Sequence, residues 1–426
     1  MESSHVISIT NVGPSKSNKE SKIHSSLASH LRYKQNKDTI NTIHSIKVGI
    51  SLVFVSLLYI LDPLYDQVGE NAMWAIMTVV VLFEFTAGAT LGKGFNRGTG
   101  TVLGGVLGCI AAILAQNLSG VGNSIAIGTF VFISGTTATY FRQLASIKKR
   151  YDYGVMIFIL TFNLVVVSGV RTHDQKVWEL ARERLTIILM GFIVCICVSL
   201  LVFPLWASDE LHDSIVSRFQ YLANSLQDCL EEYVKTEEEN KHGASFTLCK
   251  SLLDSKSKDE LLANFAKWEP WHGKFGFFYP WEQYLKIGEV LRELAAIILT
   301  LGGCLRASRK AGALASESET VEFESCEAIG SRIVWSMREV GESMKQMRKC
   351  EAENHTSKLK AARTELSLMI ATSKIAAIEN STEALAIASS VFFLMEVVDK
   401  VEELIKEVEQ VEAIAGFRAH STPPSS

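Results

Sequence analysis

Proline is scarce in this chain. There are seven in 426 residues, and none between positions 282 and 422. The residue that breaks helices is therefore missing from the whole last third, and long helices are free to form there. The eight cysteines include no CxxC pair; Cys195 and Cys197 stand only two apart, and the others are scattered. That excludes the common zinc and disulfide-exchange motifs and leaves reduced thiols. GxSxG, HExxH, Walker and dinucleotide signatures are also missing. The glycines between 88 and 105 do not follow a strand, so they form no phosphate loop. No enzyme activity, cofactor, resident metal or nucleic-acid partner is expected. Residues 1–44 are polar and lack an apolar core, so no cleavable leader is expected, and the first apolar helix would itself direct insertion.

Charge is thin in one half and dense in the other. Residues 1–203 hold 17 Lys and Arg against 11 Asp and Glu, a formal +6. Residues 204–426 hold 25 against 35, a formal −10. This split predicts two parts of different character. The expected layout is a cytosolic N-terminal tail (1–44), a six-helix transmembrane pore domain (45–204), a cytosolic helical domain (205–415) and a disordered tail (416–426). The fold class is an all-α membrane protein, three helical hairpins followed by a helical bundle.

Six apolar runs carry that reading: 45–60, 74–91, 98–118, 125–140, 153–170 and 183–203, the last stopped by Pro204. Each approaches the roughly 20 residues that cross a bilayer, and an unpaired backbone in lipid requires each to be helical. Between the first and second runs come Asp62, Asp66 and Glu70 with no cation; between the third and fourth there is no charge at all. Lys93 and Arg97 lie between the second and third. Arg142, Lys148, Lys149 and Arg150 lie between the fourth and fifth, and the N-terminal tail adds six more cations. The positive-inside rule then puts both termini in the cytosol. Arg171, Lys176, Arg182 and Arg184 run against the rule, which invites a functional explanation.

Past Trp206 no apolar run reaches 18 residues; 294–305 and 384–398 are of buried-helix length. Leu404 and Val408 form an i, i+4 apolar pair among Glu and Lys at helical spacing. Residues 235–239 and 251–259 read as polar loops. Trp268, Trp271, Phe275 and Trp281 are aromatic enough to form a packed clasp.

The stretch 74–107 is the most informative in the chain: two apolar runs joined by a Gly-rich connection with two cations. A cation at the mouth of a membrane helix is costly unless it meets water or a ligand. Thr101, Gly104 and Gly108 follow Arg97 on one helical face, and Gly100, Gly104 and Gly108 form a small-xxx-small ladder that lets backbones approach closely. One reading is a pore wall with a cation at its mouth. The other is a cytosolic anchor that reaches back to lipid phosphate. Arg184, at the outer start of the sixth run, favours the pore, because two arginines at opposite mouths suit anion conduction, and the guanidinium fork binds both oxygens of a carboxylate. Lys47 reads as a third pore cation or an interface anchor. Glu84, inside an apolar run, needs a partner such as Lys93 or Arg97, as a structural ion pair or in gating. Asp62, Asp66 and Glu70 form an acidic outer loop, either solvated or a site for hard cations.

Several blocks together resemble the plant aluminium-activated malate transporter family: HSIKVG (44–49), NAMWAIMTVVVLFEFTAGATLGKGFNRG (71–98), KKRYDYGVMIFILTFNLVVVSG (148–169), RLTIILMGF (184–192), FPLWASDELH (203–212) and WEPWHGKFGFFYPWEQYLKIGEVLR (268–292). The resemblance implies a passive channel for malate and other anions. It implies a homodimer in a lipid bilayer, with a pore lined by basic residues: Arg97 and Arg184, with Lys93 and Lys47 as further candidates. It places Asp66, Glu179 and Asp174 as candidates for outer cation or aluminium sensing, although the cation-rich sequence before the sixth run departs from the family pattern. It marks Phe203 and Trp206 as a candidate regulatory segment. A coupled exporter of organic acids is the alternative, and a non-transporting scaffold a third reading. The expected location is the plasma membrane, with the tonoplast second.

Overall fold

The computed structural model of the chain describes residues 38–57, 60, 73–118, 121–169, 174–234, 243–276, 278–310, 317–372 and 382–418. Among these the ordered elements are all helices. They divide into two compact units: 1–85 with 94–204, and 86–93 with 205–426.

In the first unit the helices are α1 (Asp38–Leu57), α2 (Met73–Leu82), α3 (Ala87–Gln116), α4 (Val121–Gln143), α5 (Ala145–Arg150), α6 (Asp152–Gly169) and α7 (Asp174–Leu201). Three of them, α1, α3 and α4, are long and apolar enough to cross a membrane; α2, α6 and the 185–201 part of α7 are shorter apolar helices. Many apolar side chains on α3 and α4 face outward, among them Leu103, Leu107, Ile125, Phe132 and Ile133. A helix surrounded by lipid has no reason to turn these groups inward. What lies between helices is small instead. A Cβ on Gly104 would stand 2.8 Å from the Phe158 carbonyl oxygen, and one on Gly108 would stand 3.0 Å from Cβ of Val165. The Gly100–Gly104–Gly108 ladder thus seats α3 against α6, as close-packed membrane helices require. A second contact joins α2 to α7, where a Cβ on Gly191 would meet the Ala75 carbonyl oxygen at 3.0 Å. Val55, Ala75, Val79, Leu82, Ile187, Cys195 and Val198 fill the core there.

The connection read between the second and third runs falls elsewhere. Residues 83–86 separate α2 from α3, and α3 already begins at Ala87. Lys93 and Arg97 are therefore inside a helix rather than in a loop, and Glu84 is in the connection rather than in a span. The glycines that suggested a turn are small for packing, not for bending.

The second unit contains α8 (Ala207–Val234), α9 (Gly243–Leu253), α10 (Lys256–Ala266), α11 (Trp281–Lys310), α12 (Glu317–Gln346), α13 (Ala352–Thr372) and α14 (Thr382–Ala415). Each long helix shows an apolar stripe at three- and four-residue spacing: Leu211, Ile215, Phe219, Leu222 and Leu226 on α8; Tyr284, Ile287, Leu291, Leu294 and Ile298 on α11. Leu404 and Val408 on α14 are buried, as their spacing predicts. One continuous core joins these stripes, built chiefly where α11 packs on α14 and α8 packs on α11 and α12.

Three sequence readings change here. Residues 251–259 are not a polar loop: they end α9 and begin α10, and Asp259 is 1% exposed. It holds Arg218 through both carboxylate oxygens at 2.6 and 2.7 Å and Arg292 at 2.9 Å. Phe417, read as tail, is buried after Gly416 turns the chain at φ +67°. The aromatic clasp forms around Phe275, Tyr279, Trp281 and Tyr284, but Trp271 is outside it at 71% exposed. The 235–239 segment lies outside the described residues.

Candidate functional site

Arg97 sits on α3 one turn before Thr101, whose hydroxyl donates to the Arg97 carbonyl at 2.8 Å. It is 6% exposed, the deepest arginine of the first unit among the described side chains. Its Nη1 donates to the hydroxyl of Tyr153, on α6, at 3.0 Å. Its Nε is buried with no hydrogen-bond partner. Among the described residues no carboxylate lies within ion-pair distance, so the expected Arg97–Glu84 pair is not formed. A buried cation with one neutral partner is under-compensated, and an anion beside it would supply the missing interaction.

Lys47 is 1% exposed on α1, and its carbonyl accepts the Ser51 hydroxyl at 2.9 Å. Its side chain is packed within the protein rather than spread over its surface. One turn earlier, the His44 ring stacks on Phe85 at 4.1 Å and approaches Phe83 at 5.7 Å. Glu84, between those two rings, is half-buried. Lys93 is half-buried on α3. The side chains of Arg184, Glu179 and Asp174, all on α7, lie outside the described ones, as does Asp66 altogether. The structure thus brings Arg97 to Tyr153 and does not bring Arg97 to Glu84.

A groove of about 670 Å³ in the first unit runs between α3, α4 and α6. Leu103, Leu107, Ile110, Phe130, Phe158 and Phe162 line it, and no charged side chain does. Its polar lining is uncharged: Asn96, Thr99, Ser134, Thr137 and Tyr151. Sequence reading missed Tyr153. The available signal was a hydroxyl at the start of an apolar span, in YDYG, opposite the cation-bearing helix.

At the end of the first unit, Phe203 is 72% exposed with φ +45°. The Trp206 ring stacks on His272 at 3.7 Å. Glu269 caps α8: its carboxylate accepts the Ala207 N–H at 2.6 Å, the Ser208 N–H at 3.2 Å and the Ser208 hydroxyl at 2.6 Å. Burial pushes its pKa up, and the hydrogen bonds from Ser208 and Ala207 oppose that shift. His272 completes the cluster, with Nε2 3.0 Å from the Ser208 hydroxyl. Trp206 therefore belongs to a hydrogen-bonded and stacked cluster with Glu269 and His272 in the second unit.

Residues 34–384 match the family described as aluminium activated malate transporter. The chain is 39% identical over 339 residues to aluminum-activated malate transporter 14 of Arabidopsis thaliana, covering 77% of this chain and 60% of that protein. It is 36% identical over 397 residues to transporter 2 of the same plant, covering 92% and 78%. It is 32% identical over 409 residues to aluminum-activated malate transporter 1 of wheat, covering 90% and 84%. The chain spans about 60% of the length of the Arabidopsis transporters 12 and 14. These relatives are named as transporters and not as enzymes. With the family match over most of its length and membrane-length apolar helices in its first unit, the chain belongs to the aluminium-activated malate transporter family.

Proposed function

We propose that the protein is a passive channel for malate and related anions. The observation that carries this is Arg97: a buried guanidinium with only a neutral hydroxyl beside it and an unpartnered Nε. An anion in transit would meet it with a charge-assisted, two-point contact, which offsets the loss of its hydration. Arg184, Lys93 and Lys47 are the further pore cations in this reading. The pore belongs to a homodimer, six spans per chain, with both termini cytosolic and the plasma membrane as host. The family membership and the named substrate of the relatives support malate as the permeant ion. The second unit acts as a cytosolic regulator, with Phe203 and Trp206 at its entry, Glu84 as a gating group, and Asp66, Asp174 and Glu179 as the outer groups that would sense a hard cation.

Patch-clamp of the full chain in a heterologous cell tests this. With malate and chloride exchanged across the membrane, the reversal potential is expected to follow the anion gradients alone. A reversal potential that also moves with pH would identify a coupled exporter, and no current at all would identify a scaffold.

A further inference from the structure

The groove between α3, α4 and α6 changes character along its length. Asn96, Thr99, Thr137 and Tyr151 lie toward the end where α3 begins and α4 finishes. Farther along, Leu107, Ile110, Leu114, Phe130 and Phe162 make it wholly apolar. From Asn96 to Leu114 is 18 residues of α3, or about 27 Å of helix. The hydrocarbon core of a bilayer is about 30 Å thick, so the groove follows α3 through most of it. Leu103, Leu107, Ile110 and Ile133 on its walls are exposed, which leaves the groove open along its side.

The polar end is firmly built. Arg142, at the end of α4, holds Asp152, at the start of α6, through Nε at 2.6 Å and Nη2 at 3.1 Å. Asn96 on α3 donates through Nδ2 to the Arg150 carbonyl oxygen at 2.9 Å. These bonds hold α5 across the end of the groove, with Ile147 and Tyr151 one turn apart on its wall. Lys148 and Arg150 flank that pair around the turn, and both are exposed. The Arg150 guanidinium stands 5.6 Å from the centre of the Tyr151 ring. Cations and an aromatic ring at one end, followed by an apolar channel, repeat the order of groups in a phospholipid. A neutral lipid would use the channel alone, whereas an anionic one also satisfies the cations, whose attraction to anionic headgroups is worth most at the membrane surface.

We infer that this groove is a binding site for one anionic phospholipid of the leaflet that faces α5. An acyl chain lies along α3 past Leu103 and Leu107, and the phosphate meets Lys148 and Arg150. Arg97 is two residues from Thr99, about 200° around α3, so the lipid site and the candidate anion site occupy different faces of the helix. The inference needs the first unit to lie in a bilayer and needs nothing about conduction, so it stands or falls separately from the channel reading.

The test uses the full chain in nanodiscs of equal phosphatidylcholine and phosphatidylglycerol, doped with phosphatidylglycerol that carries a diazirine in its acyl chain. After irradiation, mass spectrometry is expected to place lipid adducts on the groove walls, at Leu103, Leu107, Phe130 or Ile133. When the diazirine is carried by phosphatidylcholine instead, the yield at these positions is expected to fall about ten-fold. Lys148→Glu combined with Arg150→Glu is expected to abolish that difference; the map from the unsubstituted chain needs no variant to fold. Equal yields from the two labelled lipids in the unsubstituted chain would overturn the inference, as would adducts spread evenly over the exposed faces of α1, α3 and α4. So would p-benzoylphenylalanine at position 133 if it crosslinked to a second copy of the chain rather than to phospholipid.

Discussion

The guanidinium of Arg97 donates to the hydroxyl of Tyr153 across the α3–α6 contact, at 3.0 Å, and to no carboxylate among the described residues. The hydroxyl orients the fork without neutralising it. Tyr153→Phe keeps the charge and removes only this orientation. Malate current is expected to fall, by less than in Arg97→Ala, with an unchanged reversal potential. A hydrogen bond to a charged group contributes about 1.5–3 kcal/mol, which sets the scale of the loss. Single-channel recording checks it.

Gly94 is tied to Phe192 in the same way that a lock is tied to its key: the ring edge of Phe192 occupies the position a Cβ on Gly94 would take. Gly94→Ala is expected to disturb the α3–α7 packing and reduce folded protein in the membrane. Adding Phe192→Ala opens the space again, so the double variant should recover. Thermal unfolding of the single and double variants in detergent measures this, and equal losses in both would contradict the packing account.

Asp259 is the sole carboxylate between Arg218 and Arg292 among the described residues, at 1% exposure. Removing it leaves two buried cations unpaired. Asp259→Ala is expected to destabilise the second unit by about 3–5 kcal/mol, the usual result of breaking a buried pair from one side. Denaturant titration followed by tryptophan fluorescence reads it out.

Glu412, on α14, accepts the Cys350 N–H at 2.9 Å, and burial raises its pKa to about 7, against that hydrogen bond. Between the ordinary carboxyl value and pH 7 the folded state then holds more protons than the unfolded chain. Stability from this group is present at low pH and is lost as pH rises through about 7. Glu412→Gln is expected to flatten the pH dependence of the melting temperature between about pH 5 and 7. An unchanged slope would remove Glu412 from the account.

Much of the architecture was legible in the sequence, and the reasons are physical. The apolar runs marked the helices of the first unit because lipid asks only for length and apolarity. The stripes of α11 and α14 marked a bundle because burial there follows the helical period. The end of α2 was missed because a break at 83–86 carries neither proline nor glycine, whereas the glycines that suggested a turn serve the α3–α6 and α3–α7 contacts. The Asp259 cluster was missed because its three charges are far apart in sequence and look solvated one at a time. Of the candidate site, Arg97 was singled out as a cation at the mouth of an apolar run, with Arg184 at the other end; Tyr153 was not, since a tyrosine at a span boundary is ordinary until its hydroxyl is seen against a buried arginine.

The most direct measurement of the central claim is malate current through Arg97→Ala, normalised to the amount of protein at the cell surface. The account predicts a loss of current of ten-fold or more, with surface protein and dimer content unchanged, because about 1.5–3 kcal/mol of charge-assisted interaction with the passing anion is gone. Normal malate conductance in that variant would contradict it.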